Sequence, residues 1–98
     1  MSLDIVPKIQ EQLLFIEENV RLYDVGRTDC IDRYTAVFMH KVDFKTKKFT
    51  CLCMSAHPYA NDGVIVSTQG HPGRHLGKRI SYGDLPQDCQ RLLCERLF

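Results

Sequence analysis

"YTAVFMHKVDFKTKKFTCLCM", residues 34–54, decides the fold class. Its two arms are rich in β-branched and aromatic residues, and the lysine-rich "KTKK" at 45–48 supplies a charged turn between them, so the spacing predicts a β-hairpin. Both alternating sets of side chains are apolar in part. Ala36 and Phe38 stand against Val37 and Met39, and Cys51 and Cys53 against Leu52 and Met54. Strands of this kind are covered on both sides, here by helices or by a partner chain. Cys51 and Cys53 lie two apart and therefore point to one face.

Helical patterns lie on either side of the hairpin. Val6, Ile9, Leu13, Ile16 and Val20 recur at helical spacing, with Asp4 as the expected N-cap and Pro7 in the first turn, so residues 4–20 read as a helix. Gly26 and "GRTD" break it. At the other end, Asp84 with Gln87 three residues later makes a capping-box pattern, and Leu85, Cys89, Leu92 and Leu93 form an apolar stripe. Between hairpin and last helix come a turn-rich loop, "SAHPYANDG", and a short apolar run, "VIVS", at 64–67 that suits a third strand. The expected fold is α+β, one domain over residues 1–98, with a short antiparallel sheet flanked by the N- and C-terminal helices.

Composition narrows the function classes. The chain has 98 residues and a net charge of +1, too neutral for nucleic-acid binding driven by bulk charge alone. That balance hides an asymmetry: residues 1–29 hold six acids against three bases, and residues 30–98 ten bases against six acids. One face can therefore be positive enough to steer an anionic partner. No apolar run approaches the roughly 20 residues of a membrane span. The first residues lack the basic and apolar regions of a signal peptide, so no membrane association and a cytoplasmic location are expected. Five cysteines in such a setting read as small apolar residues with free thiols.

The segment that carries most chemistry is "QGHPGRHLGKR", residues 69–79. Gly70, Gly73 and Gly77 permit close backbone approach, Arg74, Lys78 and Arg79 supply charge, and His71 and His75 add hydrogen bonds or stacking. The spacing matches neither the Walker loop nor the dinucleotide fingerprint. The alternative is a solvated loop whose bases pair with the acidic first helix. Arg33, in "TDCIDRY" with Asp29 and Asp32, reads as a strand start with local ion pairing, and it joins the basic set if that set gathers nearby. Cys51, Cys53 and His57 offer metal-ligand types, but C-x-C on a strand is a poor chelate and the zinc-finger spacings are absent. No metal or other cofactor is expected. For catalysis, neither Cys30 nor Cys53 with a histidine base, nor Ser55 or Ser67, sits in a motif that would activate it.

From Asp32 to Leu93 the chain resembles a group of small uncharacterised proteins of bacteria, phages and plasmids. The shared pattern is "DRYT", a Met-Ser-x-x-Pro loop, a variable glycine-rich segment, then "HLGKRI" and a "DLP" helix. The resemblance implies a setting, an accessory protein of a bacterium or mobile element, and carries no activity. The expectation is a non-enzymatic binding module that contacts nucleic acid or another phosphate-bearing ligand through His71, Arg74, His75, Lys78 and Arg79, with Arg33 nearby. The rival is a protein–protein module, a homodimer or an inhibitor of a host system, using the apolar hairpin with Phe38, Met39, Phe44 and Met54 as anchors.

Overall fold

The computed structural model describes residues 5–27 and 31–98, with side chains from residue 10 onward. Helix α1 (Ile5–Asn19) leads into strand β1 (Val20–Asp24), followed by β2 (Tyr34–Asp43), β3 (Lys48–Met54), β4 (Ile65–Gly70) and β5 (Lys78–Ile80), and the chain closes on helix α2 (Gln87–Leu97). The strands form one five-stranded sheet in the order β4-β3-β2-β1-β5, and every neighbouring pair is antiparallel. The fold class is α+β, as the hairpin and its flanking helices predict. No helix among the described residues is long and apolar enough to cross a membrane.

The registers place each side chain on one of two faces. Leu22, Ala36 and Leu52 form one rung, and Tyr34 and Met54 the next. This face packs against Ile16 of α1 and Leu85, Cys89, Leu92 and Leu93 at α2, and these residues form the main core. Both helices therefore cover the same side. The other parity, Tyr23, Val37 and Cys51, is buried too and forms a second cluster with Met39, Phe49 and Leu76 packed against it. Leu76 belongs to the connection between β4 and β5. The hairpin is thus covered on both sides, by helices on one and by the chain's own glycine-rich segment on the other. Cys51 and Cys53 share that second face, and Phe38 and Met54 are buried in the first.

Three local expectations need correction or limits. The helix ends at Asn19, and Val20 opens β1 instead of closing α1. A run of Val20, Leu22 and Tyr23 has the β-branched and aromatic bias of a strand, and pairing with β2 decides the matter. Asp84 does not cap α2, whose N-cap is Pro86. Its carboxylate instead accepts from the Ser81 backbone N–H (3.1 Å) and hydroxyl (2.9 Å), closing a box around the 3₁₀ turn Tyr82–Asp84. Asp4, Asp29, Cys30 and the side chains of Val6 and Ile9 lie outside the described residues.

At the hairpin tip, Asp43 accepts from the backbone N–H of Lys45 (2.8 Å) and Lys47 takes a left-handed φ of 61°. The lysines there are solvent-exposed turn residues. An irregularity between Phe38 and Val42 shifts the β2–β3 register, and Phe44 stands 79% exposed beyond it.

Candidate functional site

The β4–β5 connection must join opposite edges of the sheet, because β4 and β5 are its two outer strands. It must also travel the length of the strands: Gly70 pairs with Phe49, whereas Lys78 lies on the rung of Asp24, Tyr34 and Met54. Four strand spacings across and five residues along make a diagonal of roughly 25 Å. The eight steps from Gly70 to Lys78 reach about 26–29 Å when fully extended. The connection is therefore a strap with little slack, interrupted by a single 3₁₀ turn at Arg74–Leu76. That turn presses Leu76 onto Tyr23, Val37 and Cys51.

Gly77 lets the strap land. Its φ is +109°, and an added Cβ would overlap the Asp24 carbonyl and the Val25 Cα. Gly70 lies against the Cys51 sulfur at 3.6 Å, measured to where a Cβ would be. Gly77 is thus a close-approach position against the protein itself, whereas the space at Gly70 would accept a Cβ in ordinary contact.

The basic residues divide between the two faces. Arg74 and His75 are exposed on the strap, and His71 is exposed where it leaves β4. Arg79 pairs with Tyr23 and so projects on the strap side. Lys78 pairs with Asp24 and takes the helix side, where its charge helps hold the carboxyls of Asp24 and Asp84 below the usual range, behind their own hydrogen bonds. Arg21, which the sequence reading passed over, pairs with Val37 and therefore shares the strap face. It is a diagonal neighbour of Arg79, on the far side of Tyr23. The alternation in "VRLYD" is the signal that finds it once 20–24 is read as a strand. Arg21, Arg74 and Arg79 make no ion pair or side-chain hydrogen bond among the described residues.

Arg33 is placed differently. Its Nε and Nη2 donate to the two carboxylate oxygens of Asp24 at 2.7 and 3.1 Å, and its guanidinium lies 5.2 Å from the Tyr34 ring centre. This bidentate geometry occupies its charge-assisted donors and leaves it apart from the strap cations. The Arg33 hydrogen bonds, with one from the Gly26 N–H, hold the Asp24 carboxyl below its ordinary range against the opposing effect of burial. Because the folded-state value is the lower one, the pair's contribution is present above the ordinary carboxylate range and is lost as pH falls through the folded value. Thermal melts between about pH 6 and pH 2 should show wild-type stability falling more steeply than that of Asp24→Asn. Parallel curves would deny Asp24 this role.

Among the described residues Cys51 and Cys89 are buried packing groups, and Cys53 and Cys94 are half-buried. Burial raises the pKa of Cys51 and Cys53, and that of Cys89 to about 11, so all three stay protonated at neutral pH and are poor nucleophiles or metal ligands as they stand. Cys89 donates to the Ser55 carbonyl at 3.2 Å. His57 is exposed in the loop beyond β3, and no group of three or more His, Cys, Asp or Glu among the described residues is placed to hold a metal.

A cleft of about 410 Å³ opens between the end of α1 and β5, floored by Ile16, Val20 and Leu22 and rimmed by Glu17, Arg79 and Ser81. Its floor lies on the helix side, and Arg79, at the sheet's β5 edge, is the one strap cation that reaches its rim. Comparison with protein-family models, with curated proteins and with solved structures found no match to this chain.

Proposed function

We propose that the protein is a non-enzymatic binding module whose strap face contacts an anionic, phosphate-bearing partner, with nucleic acid as the leading example. One observation carries the reading: Arg74, Arg79 and Arg21 stand exposed on the same side of the sheet with no carboxylate paired to them among the described residues. Surface guanidinium groups left unpaired around a rigid strap favour multivalent contact with phosphates, since arginine presents a planar fork of donors. His75 adds a ring beside them, seated over Gly73 with Nδ1 3.1 Å from where a Cβ would be. Lys78 and Arg33 stand outside this set, drawn to Asp24 on the helix side. The resemblance to small bacterial, phage and plasmid proteins adds a setting, an accessory or regulatory role beside a mobile element.

The test is salt-dependent binding of a fluorescent single-stranded oligonucleotide, followed by anisotropy. Three phosphate contacts predict a log–log slope near −2, or roughly a 20-fold loss of affinity between about 50 and 200 mM salt. The double variant Arg74→Ala with Arg79→Ala should flatten that slope by about 1.4 and leave the melting temperature unchanged. Inorganic polyphosphate as a competitor separates recognition of phosphate from recognition of bases. Binding that ignores salt, or that survives the double substitution intact, overturns the reading.

A further inference from the structure

The two edges of the sheet are unlike. The β5 edge is three residues long and carries Lys78 and Arg79, the short charged edge by which proteins discourage strand pairing. The β4 edge is six residues long, Ile65–Gly70, with no charge and no proline. Among the described residues nothing pairs with its outer side. Ile65 and Val66 there are 37% and 43% exposed.

The hydrogen-bond phase of this edge follows from its inner side. The Ser55 N–H donates to the Val64 carbonyl at 3.0 Å, which makes Ser55 and Val64 a hydrogen-bonded pair. The register of β3 with β4 continues from it without a break. In an antiparallel ladder such pairs alternate, so Val66, Thr68 and Gly70 turn their main-chain groups inward. Ile65, Ser67 and Gln69 turn theirs outward, and all three present an N–H and a C=O to the free edge.

We propose that this edge binds a second copy of the chain, β4 against β4 in antiparallel register about a two-fold axis at Ser67. Only in that register does every outward group find a partner. Ser67 faces Ser67, and Ile65 of each copy faces Gln69 of the other, for about six main-chain hydrogen bonds by ladder geometry. The same register sets Val66 against Thr68, so every opposed side chain is neutral. Shifting by two residues in either direction forfeits two of the bonds. A net charge of +1 gives two copies little mutual repulsion. The product is a continuous ten-stranded sheet with isologous symmetry. A strand-sized interface of this kind falls at the small, exchanging end of the range, with a dissociation constant on the order of micromolar. The proposal is independent of the anion reading, because no strap cation lies on β4.

Sedimentation velocity on the full chain over a dilution series, with amide hydrogen exchange at both ends of the series, tests this. The expected result is a monomer–dimer equilibrium in which the amides of Ile65, Ser67 and Gln69 are protected at high concentration and exchange freely on dilution. Ser67→Pro removes an outward donor and leaves the β3 ladder intact; Ser67→Lys sets two like charges face to face across the axis. Each should weaken dimerisation at least tenfold, with circular dichroism and melting temperature unchanged, and Lys78→Ala at the opposite edge should leave it as it was. If Ser67→Pro disturbs the fold, Ser67→Lys alone decides. A wild-type chain that stays monomeric across the series overturns the proposal, whether or not it accepts an unrelated extended peptide. So does a dimer that both Ser67 variants form equally well, or one in which those three amides gain no protection.

Discussion

Gly77→Ala should lower stability by roughly 3 kcal/mol or more, a drop in melting temperature of about 12–24 °C for a domain of this size. Two effects combine at this position. The backbone φ of +109° is costly for any residue with a Cβ, and the added methyl would overlap the Asp24 carbonyl and the Val25 Cα across the β1–β5 pairing. Relief requires β5 to move away from β1, which loosens Leu76 from its seat on Tyr23, Val37 and Cys51. Gly26→Ala isolates the first effect. Gly26 also has a positive φ, +78°, but nothing lies within 4 Å of an added Cβ, so about 1 kcal/mol is expected there. Chemical denaturation of the two variants checks the difference. Equal losses would mean that the strap's landing on β1 is not sterically tight.

Leu52→Ala should remove about 2–5 kcal/mol, the range for truncating a well-packed core leucine. That is a large share of the stability available to a domain of this length. Leu52 is 1% exposed on β3 and belongs to the main cluster with Ala36, Met54, Cys89, Leu92 and Leu93. The cavity would open beneath elements that cannot collapse together, since a sheet fixes its floor. Leu76→Ala, on the half-buried strap, should cost about 1 kcal/mol. Urea melts of both variants compare the two sides of the sheet directly. A Leu76→Ala loss as large as that of Leu52→Ala would make the strap side a core of equal weight; a negligible Leu52→Ala loss would contradict the packing described above.

The hairpin was legible because both its strands carry the bias of buried β-structure on each alternate set, and the requirement for two covers follows from that alone. What covers the second face was not legible. Residues 69–79 look like a solvated loop because only Leu76 among them is a large apolar residue, and one leucine gives no periodicity. β5 is three residues long, with Lys78 and Arg79 as two of them, and only its pairing with β1 makes it a strand. The same brevity hid β1, whose first residue continues the helical stripe of α1. Among the basic residues, alternation decides side, so Lys78 and Arg79 part company although they are adjacent. Arg33 illustrates a further limit: its partner Asp24 is nine residues away, and only the β1–β2 pairing brings them together. Asp84 enters a capping box, but as the third residue of a turn capped by Ser81 and not as the cap of α2 that its spacing to Gln87 suggests.

The position of β5 also governs how the chain can assemble. β1 gains its second neighbour only when Ile80 reaches Leu22, a contact between the first quarter of the chain and its last. During synthesis β1 through β4 can form a meander by local pairing as they emerge, yet this intermediate keeps the outer side of β1 bare and the Tyr23 face uncovered. Closure of so long a loop is entropically slow compared with hairpin formation. The nascent protein therefore passes through a stage in which β1, instead of the short charged β5, forms one margin of the sheet, and that stage lasts until residues 78–80 have left the ribosome.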